Sequence, residues 1–248
     1  MSTKKNSMEP VLSEIVKKPR GRPRKPNIHT DSNVLSRVSI IHKATQLAQT
    51  EPLAEISMVR LARELGVVPG LIHYYIGSRD ELISGVVNNY FQDRCAHMSE
   101  ASGDWKGDVR LIARAALANM LKFRGIAEYI ATNNRFRLFQ KVLPGETDFG
   151  LEFFNKFADV LRRGGLSRKT AALGYHLLMQ YLLASAMSEI GRLTPGKHEN
   201  YIIAQVTGLD KDKYRGALFL AKEFSKLESE KCFEAGLEML IEGIARLK

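Results

Sequence analysis

Residues 66–82, Gly-Val-Val-Pro-Gly-Leu-Ile-His-Tyr-Tyr-Ile-Gly-Ser-Arg-Asp-Glu-Leu, leave the backbone few options. Just upstream, residues 57–65 carry Met58, Leu61, Ala62 and Leu65 at helical spacing, so that stripe faces inward while Arg60, Arg63 and Glu64 face water. Gly66 closes this helix, because glycine takes the left-handed C-terminal conformation without steric cost. Pro69 suits the first turn of the next helix, where its missing N–H is not needed and its φ is already helical. That helix, residues 69–76, is barely two turns long. Ser78 and Glu81 then form a capping box, which starts a further helix through Leu82, Ile83, Val86, Val87, Tyr90 and Phe91. Two helices joined by a short glycine-containing turn make a helix-turn-helix, whose second helix lies in the major groove of DNA.

A helix before this unit is predicted over residues 32–50, where Val34, Val38, Ile41, Thr45 and Ala48 share one apolar face and Ser57 caps the helix that follows Ile56. The head so defined spans residues 32–95. A formal net charge of +10 favours a polyanionic partner, either nucleic acid or an anionic membrane surface. Cys95 and Cys232 are the only cysteines, far apart and without metal-ligand spacing, which fits a reducing cytoplasm and argues against a disulfide framework or a zinc site. No apolar signal core opens the chain, and the apolar run at 177–187 is too short to span a bilayer.

Half of the net charge, +5, lies in residues 1–31. Pro10, Pro19, Pro23 and Pro26 exclude a regular helix through the basic part, and few apolar residues are available to bury, so disorder is expected in the free protein. Within residues 17–26, Lys18, Arg20, Gly21, Arg22, Arg24 and Lys25 surround a Pro-Arg-Gly-Arg-Pro core that resembles the AT-hook. The resemblance implies an extended segment along the minor groove of A·T-rich DNA. Narrow A-tract grooves concentrate the negative potential that attracts arginine, and a glycine permits close backbone approach. A generic basic tail or a lipid anchor are the other readings.

The order of a long helix, Ile-Ser-Met-Val-Arg-Leu-Ala-Arg-Glu-Leu-Gly, a Tyr-Tyr helix and Ser-Arg-Asp-Glu-Leu resembles the DNA-binding head of the tetracycline-repressor (TetR) family. Ala62, Gly66, Ile72, His73, Tyr74, Tyr75, Ile76, Ser78, Arg79, Asp80, Glu81 and Leu82 carry the match. Val68 stands where the family often has a capping Ser or Thr; His73 and Tyr75 exchange the usual tyrosine and histidine. Ile72 and Ile76, four apart, define the buried side, leaving His73 and one tyrosine outward for phosphate or a base edge and the other tyrosine in the core. The resemblance places Arg79 at a phosphate-binding position and Pro69, Gly70 and Leu71 where bases are touched, the last two offering only small or apolar contacts. Arg60 and Thr50 are weaker candidates.

Residues 96–248 read as helices separated by breakers, over 109–123, 126–139, 149–163, 167–191, 214–227 and 230–248, with no stretch demanding a sheet. The expected fold is therefore all-α. In the last helix Phe233, Leu237, Leu240, Ile241 and Ile244 share a face. An intramolecular core would satisfy that pattern; the resemblance implies that this face, with Tyr181 and Ser185 from a preceding long helix, packs against a second copy. It implies also that body aromatic, sulfur and polar residues line an effector cavity. Trp105, Met120, Phe123, Phe136, Tyr175, His176, Met179 and Gln180 are its candidates, although each one alone fits ordinary helical core.

Asp148-Phe149-Gly150 lacks the accompanying kinase motifs, and no nucleophile elbow, P-loop, dinucleotide fingerprint or His-Glu-x-x-His occurs, so neither an enzyme nor a cofactor or metal is expected. The expected function is a cytoplasmic, nucleoid-associated, homodimeric repressor that binds a palindromic operator with an A·T-rich flank and is released by an apolar or amphipathic small ligand. Two rivals are an architectural DNA-binding protein dominated by the tail and a basic helical protein at a membrane surface.

Overall fold

Capping and glycine chemistry set the head's elements where the sequence places them. The computed structural model describes residues 35–98, 100, 102–133 and 137–247, within one unit, Leu35–Lys248. The basic tail, with Lys18, Arg20, Gly21, Arg22, Arg24 and Lys25, lies outside the described residues, as do Val34 and Phe136. Helix α1 is Arg37–Leu47, shorter than expected, because Ser36 and Ser39 form a capping box there. Helix α2, Met58–Glu64, starts on the Ser57 side chain, which accepts from the Arg60 N–H, and Gly66 follows with φ +66°. Helix α3 is Pro69–Ile76; no side chain caps it, as Val68 requires. Helix α4, Arg79–Ala96, opens on the reciprocal Ser78–Glu81 box.

The body adds α5 (Trp105–Lys122), α6 (Arg124–Thr132), α7 (Phe149–Arg163), α8 (Arg168–Ile190), α9 (Glu199–Val206), α10 (Arg215–Phe224) and α11 (Ser229–Arg246). Among the described residues there is no strand. Two expectations are corrected. Helix α6 stops at Thr132 instead of 139, because Asn133 turns the backbone extended. Helix α9 was not anticipated.

Helix α4 belongs to both halves. Its first turns bury Leu82, Ile83, Val86 and Val87, and Gly85 lets the Ile41 side chain of α1 come close; its later turns bury Tyr90, Phe91 and Arg94 among body residues. Midway, the Asn88 amide donates to the Thr147 carbonyl and accepts from the Phe149 N–H, both at 2.9 Å, holding α4 to the start of α7. A second seam joins α6 to the head, where the Gly125 N–H donates to the Ala48 carbonyl at 3.0 Å.

The expected dimer face of the last helix is corrected too. Phe233, Leu237, Ile241 and Ile244 are 5%, 0%, 0% and 2% exposed within a single chain. They pack on α8, where Gly174 admits Ile244 and the Tyr181 ring stacks on Phe233 with its hydroxyl 2.9 Å from the Cys232 and Phe233 carbonyls. On its other flank α11 is fixed to α5 by a ladder of ion pairs: Lys106 with Glu242 at 2.7 Å, Arg110 with Glu238 at 2.6 Å, and Arg114 with Glu234 at 2.7 Å. Leu240 and Ser185 remain half-buried, and neighbouring Met239 is 75% exposed.

Candidate nucleic-acid interface and effector cavity

Helix α3 is anchored by Ile72 and Ile76, 0% and 3% exposed. The opposite side presents Pro69, Gly70, Leu71, His73 and both tyrosines to solvent. Tyr74 is 80% exposed and Tyr75 37%, so the expectation that one tyrosine enters the core is corrected: with Ile72 and Ile76 already filling the buried side of a two-turn helix, no inward position remains. The two rings meet edge to face at 5.2 Å.

The expected phosphate contacts are largely engaged within the protein. The Arg79 guanidinium donates to the Ile56 carbonyl at 3.0 Å and the Ala54 carbonyl at 2.5 Å, tying the start of α4 to the turn before α2. Arg60 donates to Glu51 at 2.8 Å and lies 4.0 Å from Glu64. Arg63, which sequence reasoning set aside as a solvated charge, is exposed at the end of α2, and Thr50 is exposed after α1.

Behind the head, α4 to α8 line a cavity of about 470 Å³ that opens to solvent on one side. Of the residues expected there, Met120, Tyr175, His176, Met179 and Gln180 line it. Trp105 instead packs over Gly164 at the end of α7, and Phe123 is buried against Tyr90. The wall also contains residues that sequence reasoning missed, Tyr90, Phe91 and Arg94 from α4 and Phe153 and Phe154 from α7, with Arg137 beside them. Their helical spacing was visible, but only the packing of α4 on α7 shows which face meets a void.

Burial sets the cavity's chemistry. The Tyr175 hydroxyl is sealed without a hydrogen-bond partner, and burial pushes its pKa up to about 12. Burial raises Tyr90 as well, offset in part by Arg94. Both phenols are neutral near pH 7, as an unperturbed tyrosine already is, and the Tyr90 oxygen accepts from Arg94. Arg137, only 8% exposed in its side chain, reaches from the cavity wall to Asp80 in the first turn of α4, at 2.9 Å. Among the described residues no group of His, Cys, Asp and Glu is placed to hold a metal ion, and no helix is long and apolar enough to cross a membrane. Cys95 is buried and Cys232 exposed, both free.

Comparison with known proteins places this arrangement. The fold is similar to that of apo ActR from Streptomyces coelicolor, with a TM-score of 0.72 and 25% identity over 88% of this chain and 98% of that one. ActR in complex with actinorhodin is similar at a TM-score of 0.71 and 26% identity, over 86% and 98% of the two chains. BioQ from Mycobacterium smegmatis shares the fold at a TM-score of 0.58 and 20% identity, over 86% and 100%. No curated protein sequence matches. Residues 99–247 match the family model of the tetracyclin repressor-like C-terminal domain. With that match covering more than half of its length, the chain belongs to the tetracyclin repressor-like (TetR) family.

Proposed function

We propose that the protein is a homodimeric, ligand-responsive transcription regulator, more specifically a repressor, whose α3 enters the major groove of an operator and whose cavity takes a small effector. One observation carries the reading: α4 is a single continuous helix whose N-terminal cap follows α3 directly and whose later turns supply Tyr90, Phe91 and Arg94 to the cavity wall. A ligand that favours one position of those turns displaces the head. ActR, similar in fold, is known in complex with actinorhodin.

In this reading His73, Tyr74 and Tyr75 meet phosphates or base edges, Gly70 and Leu71 lie against bases, and Pro69 sets the helix start. Arg63 takes the phosphate role for which Arg79 and Arg60 were expected. Few polar groups on α3 reach base edges, so readout depends on duplication through a second copy. Met239, Leu240 and Ser185 offer the outward surface for it. The AT-hook-like segment, with Arg20 and Arg22, adds a minor-groove contact by local concentration, in the cytoplasm at the nucleoid.

Selection of bound duplexes from a random pool tests the proposal. A palindrome is expected, with half-sites about 34 Å apart and an A·T-rich flank; recovery of duplexes without dyad symmetry contradicts it. On the selected duplex, Tyr74→Ala is expected to cost about 1–3 kcal/mol of binding in a gel-shift titration. Its thermal midpoint should stay unchanged, because the ring is 80% exposed. Removing residues 1–31 should weaken binding about tenfold or more while preserving operator selectivity; loss of selectivity would assign the readout to the tail and favour the architectural rival.

A further inference from the structure

The wall of the cavity carries positive charge and no acid. Arg94 and Arg137 line it, and no aspartate or glutamate among the described residues does. Asp80 answers Arg137 at 2.9 Å. Among the described residues no carboxylate answers Arg94. It is 2% exposed, its Nε donates to the Asn119 amide oxygen at 3.1 Å, one terminal nitrogen, Nη2, donates to the Tyr90 hydroxyl, and the other, Nη1, has no hydrogen-bond partner among the described residues. The neighbouring carboxylate, Asp93, is turned to the far side of Asn119 and held there by Lys122 at 2.5 Å.

An arginine does not shed its proton inside a protein, so the charge persists. Three rings, those of Tyr90, Phe91 and Phe153, lie 4.6, 5.1 and 4.9 Å from the guanidinium carbon. Their quadrupoles soften the charge without neutralising it. The Tyr90 and Tyr175 phenols, neutral near pH 7 as tyrosines ordinarily are, supply no counter-charge either. A buried cation without an anion is costly, and that cost is relieved when an anion arrives. The rest of the wall is aromatic and aliphatic, with the unpartnered Tyr175 hydroxyl as a further donor.

We infer that the effector is an organic acid, an aromatic body that fills the apolar part of the cavity and a carboxylate or equivalent oxyanion seated against Arg94. The inference rests on the effector reading of this cavity. It assigns Arg94 as the residue that selects acids over neutral molecules of the same shape, by a charge-assisted pair with its guanidinium.

Titration calorimetry on the full chain, with naphthylacetic and anthroic acids and their uncharged amides, tests it. At least one acid is expected to bind about 30-fold or more tightly than its amide. In Arg94→Met the acid should lose that advantage and bind as the amide does, whereas Arg94→Lys should keep part of it. A cooperative thermal transition in each variant shows that the fold survives; should Arg94→Met fail to fold, the acid-to-amide ratio of the unaltered chain decides alone. Equal binding of acids and amides would overturn the inference and leave a ligand cavity standing. Binding of no member of the set would count against the effector reading itself.

Discussion

Gly125→Ala is expected to lower the thermal midpoint by about 6–12 °C, the equivalent of about 3 kcal/mol or more. Gly125 opens α6 beside the head, its N–H bonded to the Ala48 carbonyl at 3.0 Å. A methyl carbon built there would sit 1.8 Å from the Glu51 carbonyl oxygen and 3.0 Å from that of Ala48. Both neighbours are backbone, so no side chain can swing aside; α6 must retreat or the turn after α1 must open. The same substitution at Gly243, with nothing within 4 Å of the added carbon, supplies the control. It should stabilise α11 by about 0.5–1 kcal/mol, since alanine loses less backbone freedom than glycine. Equal midpoints for the two variants would show that α6 does not bear on the head. Beyond stability, Gly125→Ala should weaken operator binding, because the seam it breaks helps to hold α1 and the turn before α2.

The second large effect concerns response. Asp80 lies outside the cavity wall but pairs with Arg137, which lines it. Asp80 is the second residue of α4, two positions after the Ser78 cap that follows α3. Asp80→Ala leaves the cavity's shape unaltered and removes this link. Effector affinity in the absence of DNA should be retained or rise, since Arg137 in the cavity wall is left without this carboxylate, and the loss of DNA affinity caused by effector should shrink from about 5–150-fold toward none, the usual span of an allosteric coupling. The acid's contribution to the start of α4 through the helix dipole is small, about 0.3–1 kcal/mol, so folding is not the limiting factor. A variant that responds as fully as the parent chain would place the coupling elsewhere along α4.

What the sequence disclosed follows from how local each cause is. The limits of α3, the Gly66 turn and the Ser78–Glu81 box depend on contacts within four residues, and all are legible in the chain itself. The burial of Ile72 and Ile76 follows from helical period, but the exposure of Tyr75 depends on how little room a two-turn helix leaves. Arg94 is the least legible residue of the site. In a run reading Gln-Asp-Arg-Cys it looks like a solvated charge, and only the rings of Phe91 and Phe153 closing over it reveal a buried cation. The ladder of Lys106, Arg110 and Arg114 against Glu242, Glu238 and Glu234 is written at fourfold spacing in two distant segments, yet nothing local says that those segments are neighbours. The last helix shows the reverse problem. Its apolar face was plain, but periodicity cannot distinguish a partner within the chain from one in a second copy, and α8 turned out to fill it.

Reciprocal linkage between cavity and operator tests the central claim most directly. The dissociation constant of the selected duplex is measured with the full chain, first alone and then saturated with the tightest of the aryl acids; the acid's own constant is measured with and without saturating duplex. Both constants should rise by one common factor, about 5–150-fold, because a coupling free energy acts equally on the two sites. Acid that binds the cavity while leaving the duplex constant unmoved would contradict the claim that α4 joins ligand to DNA.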